Sequence, residues 1–335
     1  MSTTSGISPP SDAGRPAAGA LHDLLRRRMI FVAGKGGTGK TSIAAALALV
    51  AARRGQRVLA IEVDAKGDLP RALGRAPVGF QPAVVQHNLS VLAMHPEESF
   101  QEYLRVFFKI PRLARYTPLS KVFDFIATGV PGPRDMLVIG KIAYEERRRE
   151  SGQRIWDLIV VDCAASGHVL PQLTAARSMR QLVRGGIIAG QVDWVDQAVC
   201  DPRRSALCLT ALPEEMPVVE ALELHDGALR AGLPLGPAFL NRSLHLGLSA
   251  NQKRLLTGLT TRGRADTVSS NLGGRIDVVR EGVELGDELT SAAKPMAERF
   301  AAGMSVPVVD VPLLAARPGM AMTREIATTL RGQLS

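Results

Sequence analysis

The sequence predicts an α/β protein: a doubly wound, mostly parallel sheet flanked by helices. Three observations predict it. Short apolar runs that fit buried strands alternate with helix-forming stretches along most of the 335 residues. A glycine-rich loop stands between the first such run and the first strong helix former. Three polar residues that stand out, Asp64, Asp162 and Asn241, each fall where an apolar run ends. That is the edge at which doubly wound sheets place their ligands.

The elements follow in order. Residues 1–27 read as a disordered tail, rich at first in Ser, Pro, Gly and Ala and lacking the apolar core of a secretory signal. Residues 28–335 read as one domain. Met29–Ala33 is a short apolar strand that enters the glycine loop, and the Ala-rich stretch from Thr41 is a helix ended by Gly55. Arg57–Val63 is the next strand and Leu89–Met94 the third. Glu97–Phe108 has the pattern of an amphipathic helix, and 109–150 is mostly helical, broken at Pro131-Gly132-Pro133; together they form a small helical elaboration around 97–150. Trp156–Cys163 is a buried strand, and so is Ala206–Leu212, which leads into a helix from Glu214 to about Ala231. Gly236–Asn241 is a strand, 249–302 is largely helical with a weak stretch around 270–275, Val306–Val311 is a last strand and Thr323–Leu330 a last helix. The sequence has no internal repeat, which excludes two fused halves.

Composition narrows the partners. A hydrophobic content of 46% is enough for a sizeable core. The formal charge of +9 would favour nucleic acid, anionic lipid or acidic proteins, but the arginines are scattered in short clusters such as Arg26-Arg27-Arg28 and Arg147-Arg148-Arg149. They read as a solvated surface, and no nucleic acid is expected. The three cysteines, Cys163, Cys200 and Cys208, form no Cys-x-x-Cys pair, so no zinc clip or redox pair is expected, and the usage fits a reducing cytoplasm. No run of about 18 apolar residues occurs, so no transmembrane span is expected.

The chemistry centres on Gly34-Lys35-Gly36-Gly37-Thr38-Gly39-Lys40-Thr41-Ser42. Gly34, Gly39, Lys40 and Thr41 meet the Gly-x4-Gly-Lys-Thr pattern of a phosphate-binding loop, whose backbone N–H groups cradle phosphates at a helix N-terminus. Lys40 is placed to contact the β- and γ-phosphates. The Thr41 hydroxyl is a hard oxygen ligand for Mg²⁺, and Ser42 falls in the first turn of the helix. Lys35 is an extra cation, either a solvated loop lysine or a group delivered to phosphates in the manner of an arginine finger. Asp64 ends a strand where a carboxylate can orient the attacking water, or else shapes the turn Asp64-Ala65-Lys66-Gly67. Asp68 and Glu62 are weaker candidates for the same task. Asp162 ends the run Leu158–Val161 and fits a Walker B carboxylate that holds Mg²⁺. The residues after it, Ala164-Ala165-Ser166-Gly167-His168, are small and read as flexible; Gly167 is a candidate N–H donor to the γ-phosphate, and His168 is a base or a switch residue. Asn241 is an adenine reader or a turn former.

These motifs resemble a family. Gly-Lys-Gly-Gly-Thr-Gly-Lys-Thr resembles the deviant Walker A loop shared by the Min and Par ATPases, nitrogenase iron proteins, and the arsenite-pump and tail-anchored-protein-targeting ATPases. Asp162-Cys163-Ala164-Ala165-Ser166-Gly167-His168-Val169-Leu170 resembles switch II of the last branch, and Leu212-Pro213-Glu214-Glu215 its Pro-Glu helix start. Asn241 matches that branch's adenine-reading asparagine, and Pro312-Leu313-Leu314 its late proline loop over the base. The resemblance runs from about Met29 to the C-terminus. It implies an ATP-hydrolysing, Mg²⁺-dependent dimer, as a homodimer or with a related chain. Lys35 would reach the partner's phosphates, Asp64 would activate water, and an unidentified protein would be the client. The departures are Asp64-Ala65-Lys66-Gly67 where the targeting branch has Asp-Pro-Ala-His, and the lack of its zinc-binding Cys-x-x-Cys and of a recognisable arsenite cysteine set. Only about forty residues separate switch II from Leu212, so the Met-rich client groove is expected to be short or missing. Two alternatives stay open. One is a Par- or Min-type positioning ATPase on DNA or membrane, for which Met322, Ile326 and Leu330 supply an apolar stripe, although a core-facing helix explains that stripe better. The other is a non-catalytic, nucleotide-bound scaffold in a heterodimer.

Overall fold

The computed structural model describes residues 17–94, 133–182, 186–244, 249–259, 265–272 and 275–334. The helix expected at Glu97–Phe108 and the pattern up to residue 132 lie outside the described residues.

The N-terminal part alternates as the sequence predicts. Helix α1 (Ala17–Leu24) precedes β1 (Met29–Gly34), α2 (Lys40–Arg53), β2 (Val58–Glu62), the short α3 (Asp68–Ala72), β3 (Ala83–Gln86) and β4 (Leu89–Ala93). Helix α4 (Pro133–Arg147) and a small hairpin of β5 (Arg149–Glu150) and β6 (Gln153–Arg154) lead into β7 (Leu158–Asp162). Three helices follow, α5 (Ser166–Leu173), α6 (Ala175–Leu182) and α7 (Gly186–Cys200), then β8 (Ser205–Ala211), α8 (Glu215–Arg230) and β9 (Ala238–Ser243). The chain ends with α9 (Ala250–Leu259), α10 (Ala265–Leu272), α11 (Ile276–Gly303), β10 (Val308–Pro312) and α12 (Met320–Gly332).

The main sheet has eight strands in the order β10-β9-β8-β1-β7-β2-β4-β3. Every neighbouring pair is parallel except β3 with β4. This is the doubly wound α/β fold. Its burial follows from the two-residue period of a strand. Along β1, Met29, Phe31 and Ala33 face one core while Ile30 and Val32 face the other. The first core is covered by α4 to α8, whereas the second holds α1, α2, α3 and α12. Helix α2 is buried on nearly all sides, from Ile43 to Ala52, because the sheet lies on one side of it and α12 on the other. Its many alanines permit that close approach.

The structure corrects the sequence reading in several places. Residues 17–25, expected within the tail, instead join the fold: α1 buries Leu21 and Leu24, and Leu25 follows them into the core. Pro133–Arg147, the described part of the elaboration expected at 97–150, buries Met136, Ile139, Ile142 and Ala143 against the sheet. The segment Ala164–His168, read as flexible, instead starts a helix at Ser166, held by the burial of Val169 and Leu173. Strand β9 continues two residues past Asn241. The stripe Met322, Ile326 and Leu330 faces the core, with Ile326 and Leu330 fully buried.

Candidate functional site

The site lies at the carboxyl ends of β1, β7, β2, β8 and β9. β1 delivers the glycine loop, and Val32 is in register with Asp162 on one side while Gly34 is in register with Thr210 on the other. The loop is fastened from below. A Cβ at Gly34 would stand 2.3 Å from the Thr210 carbonyl oxygen, so only glycine lets β1 leave the sheet there. Thr38, fully buried, donates from Oγ1 to the Lys35 carbonyl at 2.8 Å and lies 3.0 Å from Thr210 Oγ1. Thr210 in turn donates to the Ala33 carbonyl at 3.0 Å. Asn241 donates its amide to the Thr38 carbonyl at 2.8 Å and is 4% exposed. The side chain weighed for adenine is thus tied through its amide nitrogen to the backbone of the loop.

Gly36 and Gly37 are the exposed apex of the loop. Gly39 takes φ 92° directly before α2, and a Cβ there would meet Asn241 Nδ2 at 2.2 Å. Lys40, Thr41 and Ser42 form the first turn of α2. Lys40 folds back over the loop, its Nζ 3.3 Å from the Lys35 carbonyl.

Thr41 and Asp162, 121 residues apart in sequence, are joined directly: Thr41 Oγ1 donates to Asp162 Oδ2 at 2.7 Å. Asp162 is 6% exposed, and its other oxygen, Oδ1, is buried without a hydrogen-bond partner among the described residues. Burial pushes its carboxyl up to about 7; Thr41 and Lys40 oppose that shift, while Glu62 and Asp64 add to it. A buried carboxylate oxygen with no donor, beside a threonine hydroxyl, is a set of hard oxygen ligands that fits Mg²⁺.

Asp64 sits just beyond β2, with its Oδ2 3.0 Å from Lys66 Nζ. This exposed pair holds the Lys66 ammonium above its ordinary pKa. Ala65 between them has φ 50°. Glu62, weighed above as a water-orienting group, is committed elsewhere. Its buried carboxylate accepts from the backbone N–H groups of Gly67 at 3.0 Å, Asp68 at 2.7 Å and Leu69 at 3.1 Å. It thereby caps α3 from a neighbouring strand and fixes the turn that carries Asp64 and Lys66.

Lys35 leaves the loop sideways. Its Nζ is 2.6 Å from Glu220 Oε1 on α8, and Glu220 Oε2 accepts from Ser166 Oγ at 3.2 Å. The Lys35 ammonium holds the Glu220 carboxyl below its ordinary range. Gly167 and His168 are exposed in the first turn of α5. Pro312 and Leu313 lie one strand out from Asn241: Val311 is in register with Asn241, and the Leu313 N–H donates to the Ser243 carbonyl at 2.8 Å. Cys163 and Cys208 are buried, and burial pushes both thiols up, so neither is a nucleophile.

The structure thus joins the loop, Thr41, Asp162 and Asn241 by direct bonds and places Asp64 on an adjacent strand end. Sequence reasoning missed Thr210 and Glu220. The signal for Thr210 was a lone hydroxyl at the end of an apolar strand.

A glycine loop at the end of a parallel strand, running into a helix, with a strand-end aspartate on its threonine, defines a P-loop nucleotide-binding protein. Comparison with known proteins narrows the class. Residues 27–189 match the family model described as anion-transporting ATPase. ATPase BagA of Mycobacterium tuberculosis is 30% identical over 240 residues, covering 70% of this chain and 70% of that protein. The arsenical pump-driving ATPase of Escherichia coli is 28% identical over 261 residues, 73% of this chain but 41% of that protein. The ATPase get3 of Schizosaccharomyces japonicus is 30% identical over 165 residues, 46% of this chain and 47% of that protein. The chain belongs to the anion-transporting ATPase family, and it is a nucleotide-binding, ATP-hydrolysing enzyme. Among the described residues no helix is long and apolar enough to cross a membrane.

Proposed function

We propose that this ATPase is a Mg²⁺-dependent nucleotide switch that works as a dimer and acts on a protein client. The observation that carries the metal reading is the Thr41–Asp162 pair with its orphaned buried oxygen. Thr41 and Asp162 would hold Mg²⁺, whose charge, when bound, offsets that of the phosphate oxygens. The chain's own residues do the rest. Backbone N–H groups of Gly36 to Lys40 cradle the phosphates, and Lys40 moves from the Lys35 carbonyl onto them. Asp64 orients the attacking water from its strand end, and Gly167, at the exposed N-terminus of α5, follows the γ-phosphate. Pro312 and Leu313 flank the base beside Asn241. Lys35 is the group offered to a partner protomer's phosphates. Its side chain is about one third exposed, and among the described residues one ion pair on the surface holds it. The exchange of such a pair for a phosphate is what makes assembly depend on ATP.

ATP turnover, nucleotide retention and sedimentation of four proteins test this reading. Lys40→Ala should lose nucleotide. Lys35→Ala should keep it better but lose hydrolysis by about 10³-fold, as removal of a cation acting across an interface does, together with ATP-dependent dimerisation. Asp64→Asn should bind ATP and stall, which makes it the form with which to capture the client. Full turnover by Lys35→Ala, or turnover of wild type indifferent to Mg²⁺, would defeat the proposal.

A further inference from the structure

Two groups of the site meet on one carboxylate that the nucleotide chemistry does not require. Glu220 lies in the second turn of α8, 185 residues from Lys35 in sequence, yet it takes the Lys35 ammonium on Oε1 at 2.6 Å. Its other oxygen takes the hydroxyl of Ser166 at 3.2 Å. Ser166 is the first residue of α5, the helix that follows Asp162. The backbone of Lys35 is meanwhile pinned, since its carbonyl accepts from Thr38 Oγ1 and from Lys40 Nζ. Only the side chain of Lys35 is therefore free to choose a partner. Helices α5 and α8 are also packed without slack: a Cβ at Gly227 of α8 would come within 2.4 Å of Leu170 of α5. A displacement at the start of α5 is thus felt by the helix that carries Glu220.

We propose that Glu220 is a positioning residue for the ATPase: it sets the resting place of Lys35 and, through Ser166, ties that lysine to the start of α5. The inference rests on the reading of Lys35 as a phosphate-directed cation. A lysine cannot donate at full strength to Glu220 and to a phosphate at once if the two lie in different directions. Engagement of the γ-phosphate therefore breaks the Lys35–Glu220 pair, leaves Glu220 with Ser166 alone, and frees α5 to move. In this way one carboxylate couples the P-loop to the segment after Asp162. It also makes ATP, which has the third phosphate, compete with Glu220 where ADP does not.

The test is the ratio of affinities for a non-hydrolysable ATP analogue and for ADP, measured by titration of the full chain. Glu220→Gln removes the competing charge while keeping the shape, and should raise that ratio by about two- to fivefold, the range of a partly exposed ion pair. ADP affinity should move less than the analogue's. In a Lys35→Ala background the Glu220→Gln effect should vanish. A role in folding alone would change both nucleotides together and would persist without Lys35; either result would overturn the proposal, as would an unchanged ratio in a Glu220→Gln protein whose Lys35→Ala counterpart has lost hydrolysis. Full hydrolysis by Lys35→Ala is a different failure, because it removes the reading of the lysine itself. Should Glu220→Gln not fold, Ser166→Ala tests the other limb: it removes the donor that Glu220 keeps once Lys35 has left, so it should lower the ratio by a smaller factor, again only while Lys35 is present, and a change independent of Lys35 would sink the idea.

Discussion

Removal of the Glu62 carboxylate should loosen the turn that carries Asp64, and the cost can be worked from the geometry. Glu62 ends β2, is 2% exposed and accepts three backbone N–H groups, from Gly67, Asp68 and Leu69. These are the free donors at the start of α3, which has only five residues and cannot supply acceptors of its own. In Glu62→Ala the Gly67 and Leu69 donors, whose bonds are buried, lose their acceptor, and each buried orphan N–H costs about 1–3 kcal/mol. Relief of the carboxylate's own desolvation trims the total, leaving about 2–4 kcal/mol. That is a large part of an ordinary folding free energy of about 5–15 kcal/mol. Urea denaturation at neutral pH measures the loss, and hydrogen exchange at Gly67, Asp68 and Leu69 locates it. ATP turnover should fall with it, because Asp64 and Lys66 sit on the released segment. A loss under about 1 kcal/mol with amide protection unchanged would refute the reasoning.

Two further outcomes follow from the same site. Gly39→Ala combines an alanine at φ 92° with a methyl 2.2 Å from Asn241 Nδ2, so it should cost about 2–3 kcal/mol and weaken nucleotide binding; adding Asn241→Ser should recover part of the stability in a thermal melt, and additive losses would show that the clash is not the cause. The pH dependence has its own sign: an Asp162 carboxyl raised from its ordinary 3.8 to about 7 binds a proton in the fold that the unfolded chain has released, so its contribution to stability is full below 3.8 and is lost as pH rises toward 7. At about 1.4 kcal/mol per pH unit, flattening as the folded carboxyl itself titrates near 7, Asp162→Asn should gain about 2 kcal/mol on nucleotide-free wild type between pH 5 and pH 7, and added Mg²⁺ should narrow that gap; a gap that stays constant across the range would count against the burial of an ionisable Asp162.

How much was legible in the sequence depended on whether the cause was local. The glycine loop was legible because its demands are met within nine residues: a Gly that Thr210 forces at 34, a positive φ at Gly39, and a helix start at Lys40. Asp162 was legible because an ionisable residue at the end of Leu-Ile-Val-Val has few reasons to be there other than a site. Strands buried on both faces announced themselves as continuous apolar runs. Strand β3 did not, since Ala83–Gln86 is short and only partly buried at the sheet edge. The hairpin at 149–154 had a signal that was passed over, Ser151-Gly152, where both residues take positive φ between strands of two residues. Small residues at 164–167 suggested a loop, yet α5 forms there because Val169 and Leu173 enter the core, and burial outweighs the weak propensity of Gly167 and Pro171. The hydroxyl of Thr210 could be seen but not placed, and Glu220 could not be found at all, for another reason. Their partners lie 172 and 185 residues away, and only the assembled sheet brings them to the loop.

The charges of the site share one logic once the partners are known. Each cation beside the loop has a resting acceptor within its own chain: Lys35 has Glu220, Lys66 has Asp64, and Lys40 has the Lys35 carbonyl. Two of these partners are tied into neighbouring segments, Glu220 through Ser166 at the start of α5 and Asp64 on the turn that Glu62 holds. The carboxylate of Asp162 is the exception, since one of its oxygens is buried with nothing donating to it. Under the proposed function, an anion arriving with a divalent cation would give Lys35 and Lys40 a stronger acceptor and the aspartate its missing charge. The exposed pairs are individually weak, worth about 1 kcal/mol or less, so their exchange is nearly free in energy, whereas the buried oxygen of Asp162 makes the empty state the costly one. On that proposal the bound state would act on the two segments that carry Asp64 and Ser166, and the sensitivity to the third phosphate should reside in Lys35 and Glu220 rather than in the loop's glycines, which hold any phosphate by backbone alone.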